Sequence, residues 1–446
     1  MSFLHKSSME CAKSELDIVH TPETQAMMLT GKWIDYHPIS SYDGSDGPIE
    51  FKISGSAEEY IDLSETLMYV EAKVVDKDKG DLDIAVPTTT TNLCGPANLF
   101  LHSLFSQVDV SLNDILVTSS VNTYAYRSYI ETLLNYGEDS KKTHLGSSLF
   151  YKDTAGHFDS LKVGATDVKN SGFIKRREIM GNSKTIDMFG RLHADIFFQE
   201  RYLLNNVEMK LRLSRNKSSF CLIGHADAAK NKVLITKAVL YVRKVRINPE
   251  VLLAHAHVLE KTTAKYPIRR IETKVISISS GLSNVIQDNI STGALPTRVV
   301  IGLVDSDAYN GAVTSNPFNF KHFNLSKIAF SIDGEETPYK AIELNYPDNY
   351  VQGYYSLFTG VDKSVSMRGN SISREEYPGG YALYAYDLTA DLCSGDHFNL
   401  VRNGNVRLSL QFTTPLPNAI NCIIYFEYQN MIEINKNRQI IFDYSI

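Results

Sequence analysis

Two histidines and an acid stand together at His255-Ala256-His257 and Glu260, the residue types of a metal centre. A helix grips one ion with imidazoles at i and i+4, whereas i and i+2 points them about 200° apart. The trio therefore reads as structural. Asp43-Gly44-Ser45-Asp46-Gly47 begins like a calcium loop, yet its twelfth position, where a bidentate carboxylate belongs, is Ser54. It reads as a turn. Asp305-Ser306-Asp307 offers two carboxylates for proton transfer, but it follows an apolar run and precedes Tyr309-Asn310-Gly311, the composition of a solvated loop. The chain has no G-x-x-x-x-G-K-[ST] loop, G-x-S-x-G elbow or H-E-x-x-H pair, so phosphoryl and acyl transfer lack an anchor. No catalytic residue, cofactor-binding residue or metal ligand is assigned. The densest basic run, Lys175-Arg176-Arg177, reads as a solvated loop tip, with nuclear import or DNA contact as the alternative. The sequons at Asn216, Asn289 and Asn324 matter only in a secreted chain.

The elements available to position side chains are mostly extended. At 446 residues the chain exceeds one ordinary domain, and 43% hydrophobic content supplies a large core. Aromatic content is carried by 25 Tyr and 20 Phe, with Trp33 alone of its type, a bias toward β structure. A net charge of −6 argues against a surface given over wholly to nucleic acid, which needs clustered Lys and Arg. Residues 1–20 are broken by Lys6, Glu10, Lys13 and Glu15, so no signal peptide is expected, and no apolar stretch reaches membrane-spanning length. The cysteines, Cys11, Cys94, Cys221, Cys393 and Cys422, are scattered and never C-x-x-C, the pattern of free thiols in a reducing compartment.

Residues 1–30 are polar and weakly patterned, a flexible arm by this reading. From Trp33 onward short β runs alternate with turns: 33–36, 49–53 and 60–75, the last alternating Leu67, Tyr69, Glu71 and Lys73 with Met68, Val70, Ala72 and Val74, a sandwich strand. Two helices interrupt, over 97–105 and 123–136, the second with Tyr126, Tyr129, Ile130, Leu133 and Leu134 on one stripe. That spacing fits a domain core and a subunit interface equally. Between them 108–117 forms a hairpin turning at Asn113-Asp114. Residues 138–183, rich in Gly, Ser, Lys and Asp, are expected as a surface excursion. Strands resume over 185–198, 207–213, 220–223 and 233–247. Asn248-Pro249-Glu250 then opens a helix to about Thr262, because Asn caps, Pro suits the first position and the acid favours the dipole. Beyond Pro267 further strands cover 271–279, 299–304, 328–332, 382–386, 406–412, 420–428 and 433–442, with a helix over 350–358. The outline is all-β: an arm (1–30), a first β unit (31–247), a linker helix (248–266) and a second β unit (267–446), without a quotable sequence repeat.

The run Asn98-Leu-Phe-Leu-His-Ser-Leu-Phe-Ser-Gln-Val-Asp-Val-Ser-Leu-Asn113, followed by Asn122-Thr-Tyr-Ala-Tyr-Arg-Ser-Tyr-Ile-Glu-Thr-Leu-Leu-Asn-Tyr-Gly137, closely resembles the first jelly roll of Polinton/Maverick-type double jelly-roll major capsid proteins. Asn316-Pro-Phe-Asn-Phe-Lys-His-Phe323, Tyr354-Tyr-Ser-Leu-Phe358 and Tyr428-Gln-Asn-Met-Ile-Glu-Ile434 extend the resemblance over most of the chain from Gly31; the arm and 138–183 match loosely. The resemblance implies two tandem eight-stranded jelly rolls and a homotrimer of pseudo-sixfold outline. It further implies lateral trimer–trimer contacts, a minor penton protein as partner, packaged double-stranded DNA touched only indirectly, no cofactor and no stable membrane insertion. Residence would be in the virion, after synthesis in host cytoplasm and with assembly open to the nucleus.

Three other readings are weighed. A minor capsid protein typically needs one jelly roll, which the second β unit disfavours. A carbohydrate-binding or enzymatic sandwich needs converging aromatics and carboxylates, and Trp33 alone makes a poor sugar platform. A host-repurposed capsid relic stays open, although the uninterrupted and locally consistent frame favours a working copy.

Overall fold

The computed structural model describes residues 5, 7–11, 13–40, 47–78, 80–82, 94–162, 169–338, 340–364, 366, 368–392 and 397–442. The Asp43 loop, except Gly47, and Cys393 lie outside them.

The first β unit contributes β1 (Met28–Tyr36), β2 (Ile49–Ile53), β3 (Glu59–Val75), β4 (Phe105–Leu112), β5 (Ile115–Leu116), β6 (Ile186–Arg191), β7 (Met209–Arg215) and β8 (Lys232–Ile247). They form two four-stranded antiparallel sheets in the orders β1-β8-β3-β6 and β2-β7-β4-β5. The second unit repeats the plan with β9 (Ala264–Ile278), β10 (Asn284–Ala294), β11 (Arg298–Asp305), β12 (Leu325–Ile332), β13 (Glu335–Glu336), β14 (Leu383–Asp387), β15 (Asn403–Phe412) and β16 (Ile420–Ile434). Its sheets run β9-β16-β11-β14 and β10-β15-β12-β13, with Ile342–Glu343 added beside β12 and Ile440–Phe442 beside β16. Renumbered within each unit, both give 1-8-3-6 facing 2-7-4-5, the Greek-key winding of a jelly roll. The fold is all-β, a double jelly roll.

The patterning explains the faces. Met68, Val70, Ala72 and Val74 of β3 are all fully buried, because a period of two sends alternate side chains into the space between sheets. The fourth and fifth strands of each unit are joined by a two-residue turn. Asn113-Asp114 (φ 44° and 66°) and Asp333-Gly334 (φ 49° and 90°) take the left-handed backbone that matches strand twist. Pro267 falls inside β9, paired opposite Met431; as an edge strand β9 tolerates the missing N–H, so this strand begins before the boundary set at Pro267.

Four longer helices decorate the sandwiches: α1 (Tyr124–Asn135), α2 (Ser171–Met180), α3 (Pro249–Leu259) and α4 (Val351–Thr359). The helix expected over 97–105 shortens to Phe100–Ser103, since Leu99 takes a left-handed backbone and its N–H is bonded by the Asn98 side chain at 2.8 Å. The strand expected over 220–223 begins instead as a helical turn, Ser218–Cys221. Asp305-Ser306-Asp307 is no open loop, for Ser306–Asn310 is helical and Tyr309 stacks on Tyr126 with ring centres 5.6 Å apart.

The segment 138–183 departs most from expectation. Phe150, Phe158 and Phe173 are buried in the second unit's core cluster, and Asp153 and Arg176 are fully enclosed. The polar composition that suggested a surface excursion is satisfied internally: Asn170 caps α2 by accepting from the Phe173 N–H at 3.2 Å. Gly172 lets α2 press onto the Tyr151 and Lys152 carbonyls, where a Cβ would lie 2.4 Å from an oxygen. Helix α1 also belongs to that cluster through Tyr126, Tyr129, Ile130, Leu133 and Leu134, with Tyr129 stacked on Phe318 at 4.3 Å. Its stripe is a core between the two units of one chain.

Candidate functional site

The densest buried chemistry lies where the two jelly rolls meet. Arg127 and Glu131, one turn apart on α1, are nearly sealed from solvent. The Arg127 guanidinium meets Asp195 at 2.6 Å and Glu131 at 2.9 Å. The other Glu131 oxygen contacts His193 Nδ1 at 2.5 Å, and the Tyr425 hydroxyl of β16 donates to Glu131 at 3.3 Å. Asp195 in turn accepts from the Ile271 N–H of β9 at 3.4 Å. Behind them His102 sits edge-on to His193 at 4.8 Å and shares a hydrogen bond with the Tyr124 hydroxyl at 2.8 Å. One guanidinium thus serves two carboxylates. Burial lifts Asp195 to about 6 against the pull of Arg127. For Glu131 burial opposes ionisation, but Arg127 and His193 outweigh it and hold the acid at about 2. Burial, with His193 beside it, pushes His102 well below the usual histidine range.

A carboxylate–imidazole pair is a proton-transfer device when substrate can reach it. Here none of these side chains lines the described grooves of about 500, 610 and 420 Å³. The arrangement acts as a joint, tying a helix of the first unit to two strands of the second.

A second joint surrounds the α2 arginine. Arg176 reaches Asp153 at 2.8 Å, the Pro96 carbonyl at 3.1 Å and the Tyr151 carbonyl at 2.7 Å. Asp153 also accepts from Asn98 at 3.3 Å and from Asn316 of the second unit at 3.4 Å. Tyr381 donates to the Asp153 carbonyl at 2.5 Å. Within Lys175-Arg176-Arg177 only Lys175 is exposed, so the run is not a solvated tip. A third joint is made by lysines: Lys141 Nζ donates to the Leu133 carbonyl ending α1 at 2.6 Å and to the Asn370 carbonyl at 2.5 Å, and Lys363 donates to the Asn135 carbonyl at 2.7 Å. Burial, aided by Lys152 and Lys363, lowers Lys141 to about 7.

The residues with the sharpest chemical look in the sequence lie elsewhere. His255 Nδ1 bonds the Tyr60 hydroxyl at 2.9 Å, while His257 faces Glu260 at 3.5 Å; the two imidazoles have separate partners. Asp305 is paired with Lys321. Among the described residues no group of three His, Cys, Asp or Glu is placed to hold a metal ion. Cys94, Cys221 and Cys422 are buried, and burial raises their thiols to about 11, 12 and 12; Cys11 is exposed. The joints themselves were missed, although Arg127 and Glu131 standing at i and i+4 beside a tyrosine-leucine stripe is a readable sign of a buried ion pair.

Two jelly rolls of identical winding, locked side by side by buried polar joints, define the fold class of viral double jelly-roll major capsid proteins. No family model matches the sequence. An uncharacterised protein of Caenorhabditis elegans is 25% identical over 430 residues, spanning 95% of this chain and 99% of that protein. Among solved structures, a chain of the Sputnik virophage aligns with a TM-score of 0.67 and 10% identity over 100% of this chain and 94% of its own. The mavirus major capsid protein aligns at 0.57 and 11% over 100% and 97%, and the Faustovirus major capsid protein at 0.55 and 9% over 93% and 92%. The fold is therefore shared over more than nine-tenths of each of these chains. No helix among the described residues is long and apolar enough to cross a membrane.

Proposed function

We propose that the chain is the major capsid protein of a Polinton/Maverick-like element, a homotrimeric capsomer that tiles an icosahedral shell around double-stranded DNA and catalyses nothing. The observation that carries this reading is the repeated 1-8-3-6 and 2-7-4-5 winding in two units joined by buried hydrogen bonds, several of them to ion-paired side chains of the first unit. Three copies of a rigid double unit present six similar flanks, and six similar flanks approximate one repeated lateral interface that tiles hexagonally. The arm, the two jelly rolls and the helix α3 between them are the working parts of this capsomer. Residence in the virion, indirect contact with DNA and a separate penton partner follow from the same reading. The nematode relative, matched over nearly its full length, supports a copy carried in an animal genome.

Light scattering after size exclusion tests the first step: a trimer of about 150 kDa, three times the 50.0 kDa chain, is expected, and a strictly monomeric species at micromolar concentration overturns it. Raising salt should then promote shells or sheets visible by electron microscopy, since each chain carries −6 and screening relieves repulsion between capsomers. Shells recovered from expressing cells without nuclease-protected DNA would remove the packaging claim while leaving the capsid claim in place.

A further inference from the structure

Helix α3 is apolar yet leaves its outer face uncovered. Its sequence, Pro249-Glu-Val-Leu-Leu-Ala-His-Ala-His-Val-Leu259, buries only Leu259; Val251 and Leu252 are half-covered, Leu253 is 74% exposed and Val258 54%. Its inner face packs on the first unit through Val251, Leu252 and Leu259, with His255 stacked on Tyr60; a helix with apolar residues on most of its circumference is normally enclosed, and the outer face carrying Leu253 and Val258 is left exposed. A second unpartnered apolar surface begins beside its first turn. The Asn248 cap holds the end of the arm, its N–H donating to the Met27 carbonyl at 2.9 Å and its side chain to the Ala26 carbonyl at 3.2 Å. From that anchor the arm carries Met9, Leu16, Ile18 and Val19, each 81–89% exposed. Glu10, Glu15 and Asp17 are interleaved with them and keep the free arm in water.

We infer that the arm of one chain docks its Met9 to Val19 segment along helix α3 of a second copy. The inference rests on the capsid reading for its purpose, the exchange of arms between neighbouring capsomers, but not for its geometry. Val19 lies seven residues from the anchor, a reach of roughly 23 Å, and Met9 roughly 56 Å at about 3.3 Å per residue. Helix α3 is about 16 Å long at about 1.5 Å per residue, so the segment covers it with chain to spare. The anchor brings a chain's own helix within that reach, yet the arm leaves it open in the single chain. A second copy is then the occupant that buries both surfaces at once, and reciprocal exchange closes two such contacts per pair.

The native thiol of Cys11, two residues from Met9 and exposed, is the reporter. In the full chain carrying Cys393→Ser, a Leu253→Cys substitution should, under mild oxidation, give a chain-to-chain disulfide on non-reducing gels. Its yield should exceed by about tenfold, the gain of docking over collision, that of a chain carrying Glu335→Cys instead, on the exposed β13 hairpin. Cys11→Ser should abolish it. Separately, Leu253→Glu with Val258→Glu should weaken association beyond the trimer without moving Tm, since both side chains are exposed. A disulfide within one chain, a dimer that survives Cys11→Ser, or a yield no higher than the Glu335→Cys control each overturns the inference; the second outcome would mean that α3 meets another α3. Shells without the cross-link refute the arm contact and leave the capsid reading standing, whereas the cross-link in a chain that never forms shells does the reverse.

Discussion

Asp153→Asn isolates the charge in the α2 joint while keeping the size of the side chain. In the wild type Arg176 and Asp153 are both fully buried and 2.8 Å apart, and the Asn98 and Asn316 amides hold the other carboxylate oxygen. Neutralising the acid strands a guanidinium whose other partners are carbonyls. Removing one member of a buried pair costs about 3–5 kcal/mol. If the two units unfold as one block, an unfolding entropy of about 2 cal/mol/K per residue makes each kcal/mol worth roughly 1 °C, so Tm should fall by about 3–5 °C. Adding Arg176→Met removes the stranded charge and should recover most of the loss, because the two substitutions share one partner and cannot be additive. Differential scanning calorimetry on the three proteins decides it. A drop below about 1 kcal/mol for Asp153→Asn, the range of an exposed pair, or a double variant no better than the single one, would refute the claim that this buried pair anchors the joint that Asn316 and Tyr381 of the second unit reach.

Lys141→Met tests the lysine joint. The buried ammonium titrates at about 7 against 10.5 when free, so the folded state binds fewer protons between those values and wild-type stability relative to the variant should rise from pH 7 to 10; a flat difference in denaturant midpoint across that range would sink it. In a Cys393→Ser background a thiol reagent should label Cys11 at once and Cys94, Cys221 and Cys422 only on unfolding, because burial suppresses their thiolates; fast labelling of more than one site in the native protein contradicts this. Limited proteolysis should cut first before Met28 and spare both α2 and α3; early cleavage between Asn248 and Ala264 would show that the units part easily.

Strands that bury one face alternate and were legible, as in β3, and the Asn113-Asp114 turn was legible from its residue types; β10, largely exposed, went unread, and β11 and β14, buried on both faces, were legible as short apolar runs instead. Asp333-Gly334, the stronger hairpin signal of the two, marks the equivalent corner of the second unit and went unread, since the strand before it was seen without its partner. Helix α3 was placed by Asn248, Pro249 and Glu250, all local signals. The error over 138–183 was of another kind. Composition reports how polar a segment is, not whether its polar groups find one another. Arg176 and Asp153 are separated by 23 residues, and Asp153 and Asn316 by 163. Pairings at that range leave no periodic trace, and the same residues in a solvated loop would read alike.

The joints also bear on why two units of one winding share no visible sequence. A jelly roll asks of its strands only alternation and suitable corners, which many residues satisfy, so the two units can drift apart while the strand order persists. The faces they turn toward each other are not interchangeable. Helix α1 and the 138–183 segment come from the first unit and complete the core of the second, with Phe318, Tyr381 and Tyr425 receiving them. In the other direction, among the described residues, Ile268, Val313, Ile432 and Ile434 of the second unit are buried in the first unit's cluster, with Ile440 and Phe442 packed against it. A first unit made alone would expose the tyrosine stripe of α1 and leave Arg127 and Glu131 without Tyr425. The two jelly rolls are therefore one folding block, in which the inner faces have specialised for each other and the outer flanks stay free to resemble one another, as the proposed pseudo-sixfold capsomer would require.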